Sequence, residues 1–500
     1  MAKKASFETP AIREYPVIPV LEEGSMNHSK PFVAKPEHQE VLGFPGELVD
    51  NWQEKAIEKL GELLGKYRGL KVFMDSCVKC GACTDKCHYF QGTCDPRNMP
   101  VARQDLMRKV YRRYFTFAGK YFPKLVGAED FTEKVLDEWY TYFHQCSQCR
   151  RCSVYCPYGI DTAEISMAAR EIMDHIGKGQ KYCNEIIGKV HKVGNNLGLP
   201  KPALIDTLEG LEEDIEDDTG HAVRLPVDVK GAEVLLITPS ADFFAEPHID
   251  GLIGYAKVFH QAGISWTLSS YASEAGNFGM FIGSYEQMQK VSRRILKVAR
   301  ELGVKRIVVG ECGHAWRVAY SFWNTLIGPF DFLDPKYPAP QHICEVTLDL
   351  IQRGAINLDK TANDHRILTY HDSCNVARGT RMGNKPGGQF TVPREVIKSA
   401  VNHFFDMNPD TIFDQTYCCG GGGGLLTDDL LELRIKGALP RMEALKAVVE
   451  DHGVTHMAAI CAICKSQFSK AMPYYKLPMD MIISVHQLVG DALILGNKSD

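Results

Sequence analysis

Two cysteine runs in the chain share one spacing, Cys77-x2-Cys80-x2-Cys83-x3-Cys87 and Cys146-x2-Cys149-x2-Cys152-x3-Cys156-Pro157. Three closely spaced thiolates grip one face of an iron–sulfur cube, and in chains with two such runs the fourth cysteine ligates the other cube. The spacing predicts one cubane [4Fe–4S] cluster on Cys77, Cys80, Cys83 and Cys156, and a second on Cys146, Cys149, Cys152 and Cys87. Zinc also takes cysteines in fours, but its ribbons pair two short knuckles, so two identical four-cysteine runs suit paired cubes better. Cubes in which every iron already holds a thiolate have no open position for a substrate, and they relay single electrons. His88 stands where the bacterial pattern has proline.

A third set reads Cys374-x43-Cys418-Cys419-x41-Cys461-x2-Cys464. Adjacent side chains point apart along an extended backbone, so a vicinal Cys-Cys serves one structural zinc poorly and an open or extended iron–sulfur assembly better. Gly420, Gly421 and Gly422 begin a run of five glycines directly after it. Such a run lets the backbone come close to an inorganic ligand, take positive φ and aim N–H groups at sulfur. His314, His371 and Asp372 follow predicted strand ends and are candidate proton donors. Cys312 is a candidate extra ligand or mixed-disulfide partner. Cys94, Cys183 and Cys344 are expected to be buried, unliganded thiols.

These side chains need elements to hold them, and 500 residues exceed one ordinary core. The seventeen cysteines are odd in number and clustered, which favours metal in a reducing cytoplasm over disulfides. With 57 basic against 62 acidic residues the net charge is −5, which excludes a strongly basic nucleic-acid binder. The N-terminus opens without an apolar segment, and neither of the best internal candidates reads as a membrane span. Residues 1–50, rich in proline, are expected to form an extended arm. Residues 51–200 should form a helical two-cluster domain, with helices over 51–67, 133–143, 163–177 and 182–193 and a helical insertion over 101–124. The acidic stretch 201–230 is expected to be a solvated linker. From 231 to 500 short apolar strands alternate with helices, as in an α/β domain with a mainly parallel sheet.

An offset of 150 sets residues 303–307 against 453–457 and puts Glu311 and His314 where Cys461 and Cys464 stand, so this domain is expected to be pseudo-duplicated. The basic, aromatic segment 103–122 fits either an interfacial helix or one packed on its own domain. A second basic segment, from Arg378 to Lys385, could receive an acidic protein.

Tyr417-Cys418-Cys419-Gly420-Gly421 together with Cys461-Ala462-Ile463-Cys464 resembles the "CCG" domain of heterodisulfide reductases, and the two upstream ferredoxin runs match the D-type chains of that family. Within the family the chain is most similar to the catalytic iron–sulfur subunits, of the K type, of membrane complexes linked to dissimilatory sulfite reduction. One complete CCG set instead of two, and the segment Gly310-Glu311-Cys312-Gly313-His314, carry that likeness. Both intervals flanking Cys418-Cys419 are longer than the family's usual spacing. The resemblance implies a special [4Fe–4S] centre, cubane or non-cubane, on Cys374, Cys418, Cys419, Cys461 and Cys464. It also implies cleavage of a disulfide or trisulfide in two one-electron steps. The implied partners are a membrane cytochrome b subunit that draws on quinol, other subunits of a redox complex, and a small cysteine-bearing sulfur-carrier protein. The implied location is the inner face of the cytoplasmic membrane. The competing expectation is an electron-relay subunit of a flavin-dependent 2-hydroxy-acid or glycerol-3-phosphate dehydrogenase.

Overall fold

The computed structural model describes residues 35–496; the arm expected over 1–50 lies outside them up to residue 34. Helices Trp52–Lys66, Pro100–Phe115, Glu133–His144 and Thr162–His175 surround a first core containing Leu63, Met107, Trp139, Phe143 and Ile165. Ala56, Leu60, Leu63 and Leu64 recur at helical spacing and are the buried face of the first of these. Thr132 and Asp161 cap the last two by accepting hydrogen bonds from the N–H groups of Val135 and Ala163. The insertion expected as one helical stretch over 101–124 breaks into three, because Thr116 caps a new helix at Phe117–Tyr121 and Pro123 starts another at Pro123–Val126. Arg103, Met107, Arg108, Val110 and Tyr111 are buried, so the helix Pro100–Phe115 packs on its own domain. Exposed apolar side chains lie beyond it, with Phe117 75% and Leu125 84% exposed.

The second region holds two parallel sheets. Strands β1 (Val234–Ile237), β2 (Trp266–Thr267), β3 (Arg306–Val309) and β4 (Gln341–His342) are ordered β2-β1-β3-β4. Strands β5 (Leu368–His371), β6 (His456–Ala459) and β7 (Ile482–Ser484) are ordered β5-β6-β7. Leu235 pairs with Ile307 in one sheet and Thr369 with Met457 in the other, and a helix leaves the carboxyl end of β3, β4, β6 and β7 alike. The repeat expected from the 150-residue offset is therefore present in the sheet order. The strands are buried almost throughout, as parallel strands covered on both faces must be, and one apolar core runs through both sheets.

Three boundaries differ from expectation. The acidic stretch is not a solvated linker: Lys201–Thr219 is a helix that buries Leu204, Leu208 and Ile215 while most of its carboxylates face water. A narrow apolar stripe sufficed, and the surrounding charge concealed it. The helix Lys181–Val193, assigned to the cluster domain by sequence, instead puts Cys183, Ile187 and Val190 into the core of the α/β region. The end of the expected extended arm folds as the helix Pro36–Leu42, whose His38 lies directly over Gly188.

Candidate metal centres and their surroundings

Cys77, Cys80, Cys83 and Cys156 line one cavity, together with Val101 and Gln104. Cys87, Cys146, Cys149 and Cys152 line a second, together with Arg103. The structure thus groups the thiols three from one run with one from the other. Among the described residues no three His, Cys, Asp or Glu side chains converge as a single-ion site requires. Four sulfurs ringing a cavity are the donor set of a cluster-sized group. Cys80 in the first cavity is exposed, whereas the second is lined by the buried Arg103 and the partly buried Lys86 and Arg150. Arg103 donates to the Tyr142 carbonyl and the Asn98 side chain, and Arg170 donates to the carbonyls of Cys146, Phe281 and Gly423. A buried guanidinium beside several thiolates offsets their charge while its hydrogen bonds hold the loops in place.

The third set is a group of thiols close enough to perturb one another. Cys418 sits among Cys149, Cys374 and Cys419, and these neighbouring thiols hold its own thiol well below the usual range although burial opposes them. Cys464 lies near both Cys419 and Cys461. Cys461 is likewise held low, by Cys312 and then Cys464, with His314 adding to the effect. Cys312 is pushed well above its ordinary value, first by the neighbouring Cys461 and then by burial. Cys312, Cys374, Cys418, Cys419, Cys461 and Cys464 are all buried, and Cys149 is partly buried. Cys149, expected only as a ligand of the second cube, also neighbours Cys418, so the second and third sets adjoin there.

The ends of parallel strands position this group. Cys374 begins the helix Cys374–Gly379 after β5, and Cys461 is the N-cap of Ala462–Ala471 after β6. Cys312 is the N-cap of Gly313–Val318 after β3, where its sulfur accepts the Ala315 N–H at 3.4 Å. The glycine run behaves partly as expected, since the N–H groups of Gly420 and Gly421 lie 3.4 and 3.5 Å from the sulfurs of Cys418 and Cys419. Packing demands the same residues. A side chain on Gly420 would meet the Arg434 carbonyl, and one on Gly422 would meet His314 and the Ser147 carbonyl.

His314 places Nδ1 3.6 Å from the Cys461 sulfur, and its Nε2 has no partner. His371 is fully buried edge-on to Phe468, neither ring nitrogen has a partner, and burial followed by Arg441 lowers it to about 3. A ring so placed stays neutral near pH 7. Asp372 is bound by Arg394 through both oxygens at 2.8 Å, a structural pairing. Arg378 points inward, donating to the carbonyls of Cys149, Asp414 and Thr416, so this end of the basic segment staples loops and does not face an acidic partner. Sequence reading also passed over His88. It bonds the Gly437 carbonyl and Ser147 Oγ, each at 2.7 Å, and burial notwithstanding, the neighbouring Cys418 raises its imidazole. Its place in the sequence, where proline is usual, was the available signal.

Two cysteine-ringed cavities and a third cysteine group on a duplicated parallel α/β frame define an iron–sulfur oxidoreductase subunit of the heterodisulfide-reductase type. The "4Fe-4S dicluster domain" family matches residues 73–160, so the chain carries a domain of two such clusters. The "Hdr-like menaquinol oxidoreductase iron-sulfur subunit 2" of Archaeoglobus fulgidus is 42% identical over 478 residues, covering 90% of this chain and 84% of that one. The corresponding subunit of Archaeoglobus profundus is 42% identical over 487 residues. The D chain of the "Dihydromethanophenazine:CoB--CoM heterodisulfide reductase" of Methanosarcina mazei is 23% identical over 440 residues, covering 85% of this chain and 95% of that one. The chain belongs to the family of Hdr-like menaquinol oxidoreductase iron–sulfur subunits.

Proposed function

We propose that the protein takes electrons from a quinol-oxidising membrane partner, a cytochrome b subunit, and reduces a protein-borne trisulfide or heterodisulfide in dissimilatory sulfur metabolism, as the K-type subunits do. The observation that carries this reading is the buried cluster of thiols at the strand ends, in which Cys312, after β3, joins Cys374, Cys418, Cys419, Cys461 and Cys464. A pure relay has no need of a terminal thiol beyond its last centre. Cys374, Cys418, Cys419, Cys461 and Cys464 would hold a third iron–sulfur centre, which supplies one electron at a time and an iron able to bind sulfur. The chain's own residues do the rest. Gly420 and Gly421 N–H groups stabilise negative sulfur, His314 stands beside Cys461 for proton movement, and burial keeps water from the sulfurs.

No helix among the described residues is long and apolar enough to cross a membrane, so attachment would run through the partner. An alkaline wash should then release the chain from membranes, whereas mild detergent should leave it with an integral haem protein. The function itself is tested by EPR of the oxidised protein with and without a thiol substrate. A spectral change in the third centre, abolished together with disulfide turnover by Cys419→Ser while the two relay cubes still accept electrons from dithionite, is the expected result. A third centre indifferent to every thiol and disulfide offered would make the chain an electron relay.

A further inference from the structure

Beside the terminal thiol lies a pocket of about 320 Å³, between the helices Lys181–Val193, Asn277–Phe281 and Ala462–Ala471. Cys312, 2% exposed, lines it. So do two polar groups that are each 4% exposed, Glu274 and Asn277. Ser240 donates to Glu274 Oε1 from its hydroxyl at 2.6 Å and from its N–H at 3.1 Å, which fixes the carboxyl in place. Asn277 Oδ1 is buried with no partner at all. A buried acceptor without a partner costs stability unless a ligand or water completes it, so this end of the pocket is built to receive something. Most of the wall is apolar, with Ile186, Phe278 and Ile463 prominent. Its charges are one lysine, Lys189, against two carboxylates, Glu185 and Glu274.

We infer that this pocket is the port through which substrate sulfur reaches the third cysteine set, that it accepts an uncharged or weakly charged sulfur chain, and that Glu274 is an acid facing that chain. The inference rests on the reductase reading above. A polyanionic thiol would be desolvated here with a single cation to receive it, whereas a neutral chain gains from the apolar wall. Cleaving one S–S bond takes two electrons, which come from the donor by way of the third cysteine set, and two protons. The Glu274 carboxyl protonates the thiolate that leaves toward it and regains its proton from water at the mouth. The other sulfur takes its proton from solvent on release. Burial raises the Glu274 carboxyl above its ordinary range, the direction that keeps a proton on it.

The test uses the full, cluster-loaded chain with reduced viologen as donor and two probes, bis(2-hydroxyethyl) disulfide and its dianionic counterpart 2,2′-dithiobis(ethanesulfonate). The neutral probe should show kcat/KM at least about tenfold higher, the scale on which a pocket discriminates by contacts and charge. Ile186→Trp, which fills the wall, should raise KM for the neutral probe and protect Cys312 from N-ethylmaleimide, with iron content unchanged. Glu274→Gln should lower kcat by about a hundredfold with little change in KM, the scale of a lost general acid. Equal use of both probes overturns the charge preference, and undiminished turnover by Ile186→Trp overturns the port. An unchanged kcat in Glu274→Gln removes its role as acid. If Cys312 labels in the parent and is protected in Ile186→Trp yet no disulfide is reduced, the port stands and the reductase reading falls.

Discussion

At the scale of single residues, the proximity of Cys149 to Cys418 matters most, because it sets the second cysteine group beside the third. Iron analysis should give about twelve atoms per chain in the anaerobic protein, four for each centre. Cys149→Ala should lose about a third of that iron and, unlike Cys80→Ala, should also alter the EPR of the third centre. An unaltered third centre would separate the two sets. His88→Phe should cost about 1–3 kcal/mol in denaturant unfolding, since the buried Gly437 carbonyl and Ser147 hydroxyl lose their partner. Cys312→Ala should lower turnover while both relay cubes remain reducible, whereas a space-filling role would leave turnover near the parent rate.

Helix crossings set the next level. His88–Thr93 lies across Leu431–His452, and the crossing is close because Gly92 and Gly437 stand at it. A Cβ on Gly92 would lie 1.8 Å from the Lys436 carbonyl, and one on Gly437 would lie 2.4 Å from the Tyr89 ring. The same contact aims the Tyr89 hydroxyl at the Gly420 carbonyl, 2.5 Å away, beside the vicinal cysteines. Gly92→Ala should therefore destabilise the protein by about 3 kcal/mol or more and perturb the third centre. Gly210 is the control. It sits within the helix Lys201–Thr219 with open space around its Cα, so Gly210→Ala should stabilise by about 0.5–1 kcal/mol and leave every centre unchanged. Thermal unfolding of the pair reads both outcomes.

Across the whole molecule, buried charges lock the two sheets together. Glu311, after β3, accepts from His486 Nδ1 at 2.7 Å and pairs with Lys465 at 3.3 Å; these two partners belong to the other half, and all three side chains are fully buried. In the repeat, Glu311 stands at the position of Cys461, so the half without a complete cysteine set uses that site to hold the half that has one. Burial alone would raise the Glu311 carboxyl, but Lys465 and then His486 lower it to about 2. A depressed carboxyl contributes its stability above its unfolded value, and that contribution, about 3 kcal/mol here, is lost as pH falls from about 4.5 toward 2. Glu311→Gln should flatten the acid limb of the stability curve over that window. At neutral pH it should destabilise by about 3–5 kcal/mol, because Lys465 is left buried and unpaired. Denaturant midpoints measured from pH 7 down to pH 3 follow both effects, and parallel curves for parent and variant would remove Glu311 from this role.

What the sequence determined by itself was local chemistry: ligand runs such as 77–87 and 146–156 are set by covalent spacing, the strands by short apolar runs, and the repeat by an offset visible in residues 303–307 and 453–457. Three features were decided by tertiary structure alone. Cys149 came to lie near Cys418 across 269 positions of chain, Arg170 came to bridge Cys146 and Gly423, and Cys312 came to face a pocket with Glu274 and Asn277. The acidic helix 201–219 was hidden for a related reason, since its few buried leucines and isoleucine matter only against the surface that receives them. Spacing along a chain specifies which atoms can share a ligand within one loop. Which loops share a boundary depends on how closely helices cross and where buried charge finds its partners, and those distances exist only once the core has closed.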